Sequence, residues 1–167
     1  MDLKTIARRA ARAALDSVQP ERLVAENVMR DGSRLIINGE IFELEASSTI
    51  RLISCGKAGF PLAASLLPMI EDKLAAGVVT GVKEYEEKDR IVYFPAAHPL
   101  PDEWSLRAGE KALEMALITS HRDLLLLLIS GGGSAHLCLP ADGVSLEDKR
   151  TVTQLLLQAG ADIHQLN

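Results

Sequence analysis

Leu124-Leu125-Leu126-Leu127-Leu128-Ile129-Ser130-Gly131-Gly132-Gly133-Ser134 sets an unbroken apolar run against three consecutive glycines. Six apolar residues without a charge, bounded by turn residues, predict a strand over residues 123–129 buried on both faces, the pattern of a parallel sheet. The same style holds upstream as far as residue 50. A short strand over residues 51–54 runs into Gly56-Lys57, and a helix is expected over residues 58–74. Strands over residues 77–82 and 90–94 follow. Pro99 and Pro101 then break the chain, and Asp102 is placed to cap a helix to about residue 120. Downstream, Ser145-Leu146-Glu147-Asp148 has the form of a capping box opening a helix to about residue 159. Strands that alternate with helices predict an α/β fold, its mostly parallel sheet covered on both faces.

The first fifty residues read differently. Leu3, Ile6, Ala10, Ala13, Ala14 and Leu15 follow helical spacing, so an amphipathic helix is expected over residues 3–18. Pro20 suits the first turn of a second helix reaching residue 29. After Asp31-Gly32, Asn38-Gly39 lies between β-rich runs at residues 35–37 and 41–44. Asn-Gly there is a strong hairpin signal, because both turn positions need positive φ. The hairpin is expected to extend the edge of the main sheet. At the other end, Asp162 begins what looks like the first turn of a helix with nothing after it, which suggests a truncated chain.

The bulk properties exclude several classes. A length of 167 residues fits about one domain. With 47% hydrophobic and 25% charged residues, disorder is not expected. The net charge is -5 and no long block of Lys and Arg occurs, so no nucleic-acid groove is indicated. Arg8, Arg9 and Arg12 fall on the first helix and read as a solvated face. Cys55 and Cys138 match neither a disulfide framework nor a zinc site, and they read as small buried hydrophobes of a reduced, cytoplasmic protein. The N-terminus lacks the apolar core of a signal peptide, and the leucine run is too short to span a bilayer.

Ligands of open parallel sheets bind where strands end, near a reversal in strand order. Three strand ends carry unusual residues. At Gly56-Lys57-Ala58, a lysine stands at a helix start, where the dipole disfavours a cation, so an anionic partner is one reading and a solvent-facing lysine the other. The spacing is not that of a Walker loop. At Ser130-Gly131-Gly132-Gly133-Ser134, three glycines let backbone approach a ligand and present several N–H groups, and Ser134 adds a hydroxyl. The alternative is a flexible connection, though a plain turn needs only one glycine. The loop lacks the dinucleotide fingerprint, so NAD is not supported. At His98-Pro99-Leu100-Pro101-Asp102, His98 is either a substrate contact or a structural histidine, and Asp102 reads as a helix cap. His136 follows the glycine loop closely enough to touch a ligand. His121 and His164 read as surface residues, and Trp104 as a packing residue.

These motifs, with Gly77-Val78-Val79-Thr80 and Leu146-Glu147-Asp148-Lys149, occur in an order that resembles the N-terminal domain of the glycerate 2-kinase family, whose C-terminal part carries the MOFRL domain. Some members bear the older label hydroxypyruvate reductase. The resemblance covers essentially the whole chain. It implies a Rossmann-like N-terminal lobe over residues 1–167, with a second lobe that this chain lacks. It also implies phosphorylation of D-glycerate to 2-phosphoglycerate with ATP and a divalent metal such as Mg2+. On that resemblance Lys57 meets substrate or the transferring phosphate, Gly56 and the loop of Ser130, Gly131, Gly132, Gly133 and Ser134 hold an anionic group, and His98 lines the same cleft. No metal ligand is assigned. The family more commonly has an apolar residue where His136 stands.

Three functions are therefore weighed. The first is a portion of a glycerate kinase that turns over little or nothing alone. The second is an NAD(P)H-dependent reductase, as the older label suggests. The third is an anion or sugar-phosphate binding module. Small-molecule partners are expected, with no nucleic acid and no membrane, and self-association is plausible if an apolar surface is left uncovered.

Overall fold

The computed structural model describes residues 2–82 and 89–166. Two helices lead the chain, α1 (Leu3–Ser17) and α2 (Pro20–Asn27). Asp2 caps α1, its carboxylate accepting from the Thr5 N–H at 2.9 Å, and Pro20 occupies the first turn of α2. No residue of α1 is buried, so its apolar stripe stays in solvent, with Leu3 85% exposed.

Three short strands come next: β1 (Val28–Asp31), β2 (Arg34–Ile37) and β3 (Glu40–Glu43). Asn38 and Gly39 take positive φ at the β2–β3 turn, as the hairpin requires. Two expectations change here. The second helix stops at Asn27, and Val28 and Met29 belong to β1. The hairpin does not extend the main sheet but joins β1 in an antiparallel sheet of its own, in the order β1-β2-β3. Its inner face explains why: Leu35 is fully buried in the core cluster, and Ile37 and Phe42 pack against that cluster. The small sheet therefore lies over the helix layer, and its apolar side is used in packing there.

The main sheet holds β4 (Ile50–Cys55), β5 (Leu74–Gly81), β6 (Ile91–Pro95) and β7 (Leu124–Ile129), all parallel in the order β6-β5-β4-β7. Between them run α3 (Gly59–Ile70) and α4 (Glu103–Leu117); α5 (Gly133–His136), α6 (Leu146–Gln158) and α7 (Ile163–Leu166) follow. The helix expected to reach residue 74 ends at Ile70, because Leu74 already opens β5 and pairs with Ile50. Alternation along the strands feeds two cores. Leu52 and Val79 meet Ala63, Leu66 and Ile70 of α3, with Leu35, Leu44 and Val24 beyond. Ile53 and Val78 meet Ala108, Ala112 and Met115 of α4. Each buried Leu or Ile side chain in these layers contributes about 1.5–3 kcal/mol. The α/β layered architecture expected from the sequence is therefore present.

The leucine strand differs from its expectation. β7 is an edge strand, and only Leu126 is buried, while Leu127 and Ile129 are 55% and 69% exposed. Its base is pinned by Asp123. That carboxylate accepts from the Thr49 hydroxyl at 2.7 Å and the Ser120 hydroxyl at 2.7 Å, and pairs with Arg51 at 3.0 Å. α6 opens on the expected capping box, with Ser145 and Asp148 exchanging bonds, yet buries no residue. Both cysteines are free and buried, and burial pushes both thiols above their ordinary range. Trp104 packs beside Phe94, with the Arg107 guanidinium over its ring.

Candidate functional site

The chain leaves β4, builds β5 and β6 on one side, then returns to place β7 on the other side of β4. The reversal in strand order thus lies between β4 and β7, where a parallel sheet opens a crevice. The turn after β4 carries Gly56 and Lys57; the turn after β7 carries residues 130–134.

The two turns are tied to each other. The Lys57 N–H donates to the Gly131 carbonyl at 2.9 Å, and the Ser130 N–H to the Cys55 carbonyl at 3.0 Å. The Ser130 hydroxyl donates to that same Cys55 carbonyl at 3.0 Å and accepts the Ala58 N–H at 3.0 Å. Gly56 must be glycine here. Its φ is +95°, and a Cβ would lie 2.5 Å from the Ser130 carbonyl oxygen. Ser130 therefore serves as the clasp between the turns.

Other donors are left for a ligand. The N–H groups of Gly131, Gly132 and Ser134, and the Ser134 hydroxyl, find no acceptor among the described residues. Gly133 begins α5, its N–H donating to the Ser130 carbonyl at 3.1 Å. Lys57 is exposed, two residues ahead of α3, and its ammonium pairs with no carboxylate among the described residues. Gly132 has φ +91°, and a Cβ there would stand 2.7 Å from His98 Cδ2 and 3.5 Å from Lys57 Cγ. So the exposed ring of His98, at the end of β6, and the stem of Lys57 both lie against the bare backbone of Gly132. Every site residue expected from the sequence thus stands at one end of the sheet: Gly56 and Lys57 from β4, His98 from β6, and residues 130–134 from β7. Asp102 is the cap of α4, accepting from the Ser105 N–H at 2.9 Å, and has its structural role there.

Beneath the cradle lie Thr80, to which sequence reasoning assigned no site role, and His136, which it placed close enough to the glycine loop to touch a ligand. Thr80, at the end of β5, is fully buried, and its hydroxyl accepts the Gly56 N–H at 3.3 Å. The same hydroxyl meets His136 Nδ1 at 3.3 Å. Thr80 Oγ1 accepts the Gly56 N–H and either donates its own proton to Nδ1 or accepts one from it, according to the ring tautomer. The ring Nε2 is buried with no hydrogen-bond partner among the described residues. Burial, then the nearby His98 and Lys57, hold His136 below the usual histidine range, opposed in part by Asp102. For Thr80 the one signal in the sequence was a Thr closing an apolar strand, which has many structural uses.

A crevice lined by N–H donors and an unpaired ammonium suits an anion. Among the described residues no three His, Cys, Asp or Glu side chains gather as a cation site. The chain matches the family model described as "Domain of unknown function (DUF4147)" over residues 6–167. The chain belongs to that family. Among its relatives is the glycerate 2-kinase of Pyrococcus horikoshii, 36% identical over 100% of this chain and 37% of the relative. The glycerate kinase of Danio rerio is 36% identical over 99% of this chain and 36% of the relative. The crystal structure of the PH0495 protein from Pyrococcus horikoshii superposes with a TM-score of 0.83, covering 99% of this chain and 37% of that one. The DUF4147 chain thus spans little more than a third of the length of these relatives.

Proposed function

We propose that this DUF4147 chain, over residues 1–167, is the phosphate-handling N-terminal domain of a glycerate 2-kinase, which as a whole phosphorylates D-glycerate to 2-phosphoglycerate with ATP. The observation that carries the reading is the meeting of Lys57, His98 and the free N–H groups of Gly131, Gly132 and Ser134 at the strand-order reversal. Phosphoryl transfer asks a protein mainly for positioning and for charge stabilisation. In this reading the amides hold phosphate oxygens, the Lys57 ammonium offsets their charge, and His98 lines one wall. Gly56 and Ser130 keep the two turns in register. The Mg2+ expected with ATP is assigned to no residue of this chain, because no carboxylate cluster among the described residues fits it.

A reductase fits less well. Residues 131–136 place buried His136 where a dinucleotide fingerprint needs its third glycine for close packing. The chain is proposed to work in the cytoplasm; no helix among the described residues is long and apolar enough to cross a membrane. Copies are proposed to associate through the exposed edge of β7.

ATP-dependent phosphorylation of D-glycerate, measured for this chain and for the whole reading frame in which it stands, tests the proposal. Turnover by the longer product with anion binding but no turnover by the shorter one is expected. Turnover by the short chain would place all catalytic groups within it. Steady NADH oxidation with hydroxypyruvate would replace the kinase reading with the reductase. Anion binding by both products with turnover by neither would leave a binding module.

A further inference from the structure

His136 is fully buried, yet it sits directly under the cradle. Its N–H donates to the Gly132 carbonyl at 3.1 Å, so its backbone is part of the loop that would hold the anion. Its ring meets the ring of His98 edge-on at 6.2 Å between centroids, and Gly132 lies against that same His98. Its Nδ1 reaches Gly56 through the Thr80 hydroxyl. Its Nε2 meets no hydrogen-bond partner among the described residues, and the Gly56 backbone beside the ring favours its charged form. A buried imidazole without a full set of bonds is costly to keep, and a plain apolar side chain would fill the space without that cost.

We propose that His136 is a positioning residue of the cradle that takes up a proton when a doubly charged anion binds, so that anion binding and protonation are linked. The inference rests on reading the cradle as an anion site. The charged and titratable groups facing the ring decide its sign. Lys57, on the turn after β4, and His98, on the loop after β6, disfavour a further positive charge; Asp102, at the start of α4, favours one. The thiols of Cys55 and Cys138 stay protonated and add no charge. In the empty cradle the repulsive neighbours and burial keep the ring neutral. An anion against Lys57 and Gly132 cancels that repulsion and stabilises the imidazolium; the added proton comes from solvent, and both ring nitrogens then carry one, Nδ1 facing Thr80 Oγ1.

The linkage is read by following the four histidine rings of the chain by NMR across pH, with and without saturating sulfate, which itself does not titrate in this range. The His136 midpoint is expected to rise by about one pH unit with sulfate, equivalent to about tenfold tighter sulfate binding below the midpoint than above it. The exposed His121 and His164 are expected to stay put. In His98→Gln the His136 shift is expected to persist. If sulfate perturbs the Gly131 and Gly132 amides while the His136 midpoint stands still, the inference falls. It falls as well if, in His98→Gln, sulfate still perturbs those amides but the His136 midpoint no longer moves. If sulfate perturbs none of these resonances, the anion reading of the cradle fails first. No variant of His136 is needed for the measurement, so a folding defect there cannot obscure the result.

Discussion

Lys57 and Gly132 separate binding from folding. Lys57 is exposed and makes no bond with its side chain among the described residues, so its loss should cost the fold little, within about 0.5 kcal/mol. A hydrogen bond to a charged group is worth roughly 1.5–3 kcal/mol. Lys57→Ala is therefore expected to weaken sulfate or phosphoglycerate binding about tenfold or more with an unchanged melting curve; calorimetry showing unaltered affinity would remove Lys57 from the site. Gly132→Ala acts on both properties. Its φ of +91° costs an L-residue about 1–2 kcal/mol, and its methyl would push His98 aside. Lower stability and weaker anion binding should appear together in thermal melts and titrations. At this scale most of the site was legible, because three glycines after a strand and a lysine before a helix are chemically unusual. Thr80 was not, and of His136 only its closeness to the glycine loop was. Their role lies in which neighbours they meet, and nothing local in the sequence names those neighbours.

Elements are held at their bases as well as at the site. Asp123 joins the start of β7 to Thr49, before β4, and to Ser120, after α4. The Thr49 hydroxyl first, then Ser120, hold its carboxyl well below the usual carboxylate range. A depressed carboxylate stabilises the fold above its unfolded value and loses that contribution as pH falls through the native one. The melting temperature should therefore drop as pH falls below about 4, and Asp123→Asn should flatten that part of the profile while lowering stability at neutral pH. A profile identical to that of the parent chain would show that the pin is not made in solution. Most elements could be read from periodicity and caps, down to the cap at Asp102 and the box at Ser145. The placement of the hairpin could not. An apolar face on a short strand states that it must be covered, but not whether a sheet edge or a helix layer will cover it. β7 erred the other way: a run of leucines signals burial on both faces, and here the strand stands at an edge.

The whole molecule has one ordered centre and less committed flanks. The sheet with α3 and α4 holds the cores, whereas α1 and α6 bury nothing. Apolar residues on the open edge, Leu127 and Ile129, lie on the surface proposed for association of copies. Ile129→Lys is expected to shift sedimentation at high concentration from associated species towards monomer, since a charge on an edge strand discourages pairing. A parent chain that is already monomeric at that concentration would refute the association. The strand order also sets a timetable. β4 pairs with β5 through residues close in sequence, but its other partner arrives much later: Ser130 and Cys55 are 75 positions apart. On the ribosome β4, β5 and β6 emerge with one side of β4 bare, and it stays bare until residue 129 is made. At about 5–20 residues per second that exposure lasts seconds, long enough for a chaperone or a neighbouring nascent chain to reach it. The crevice proposed to hold the anion is thus the last part of this sheet to form, and premature release of the chain before β7 would leave a cradle with only one wall.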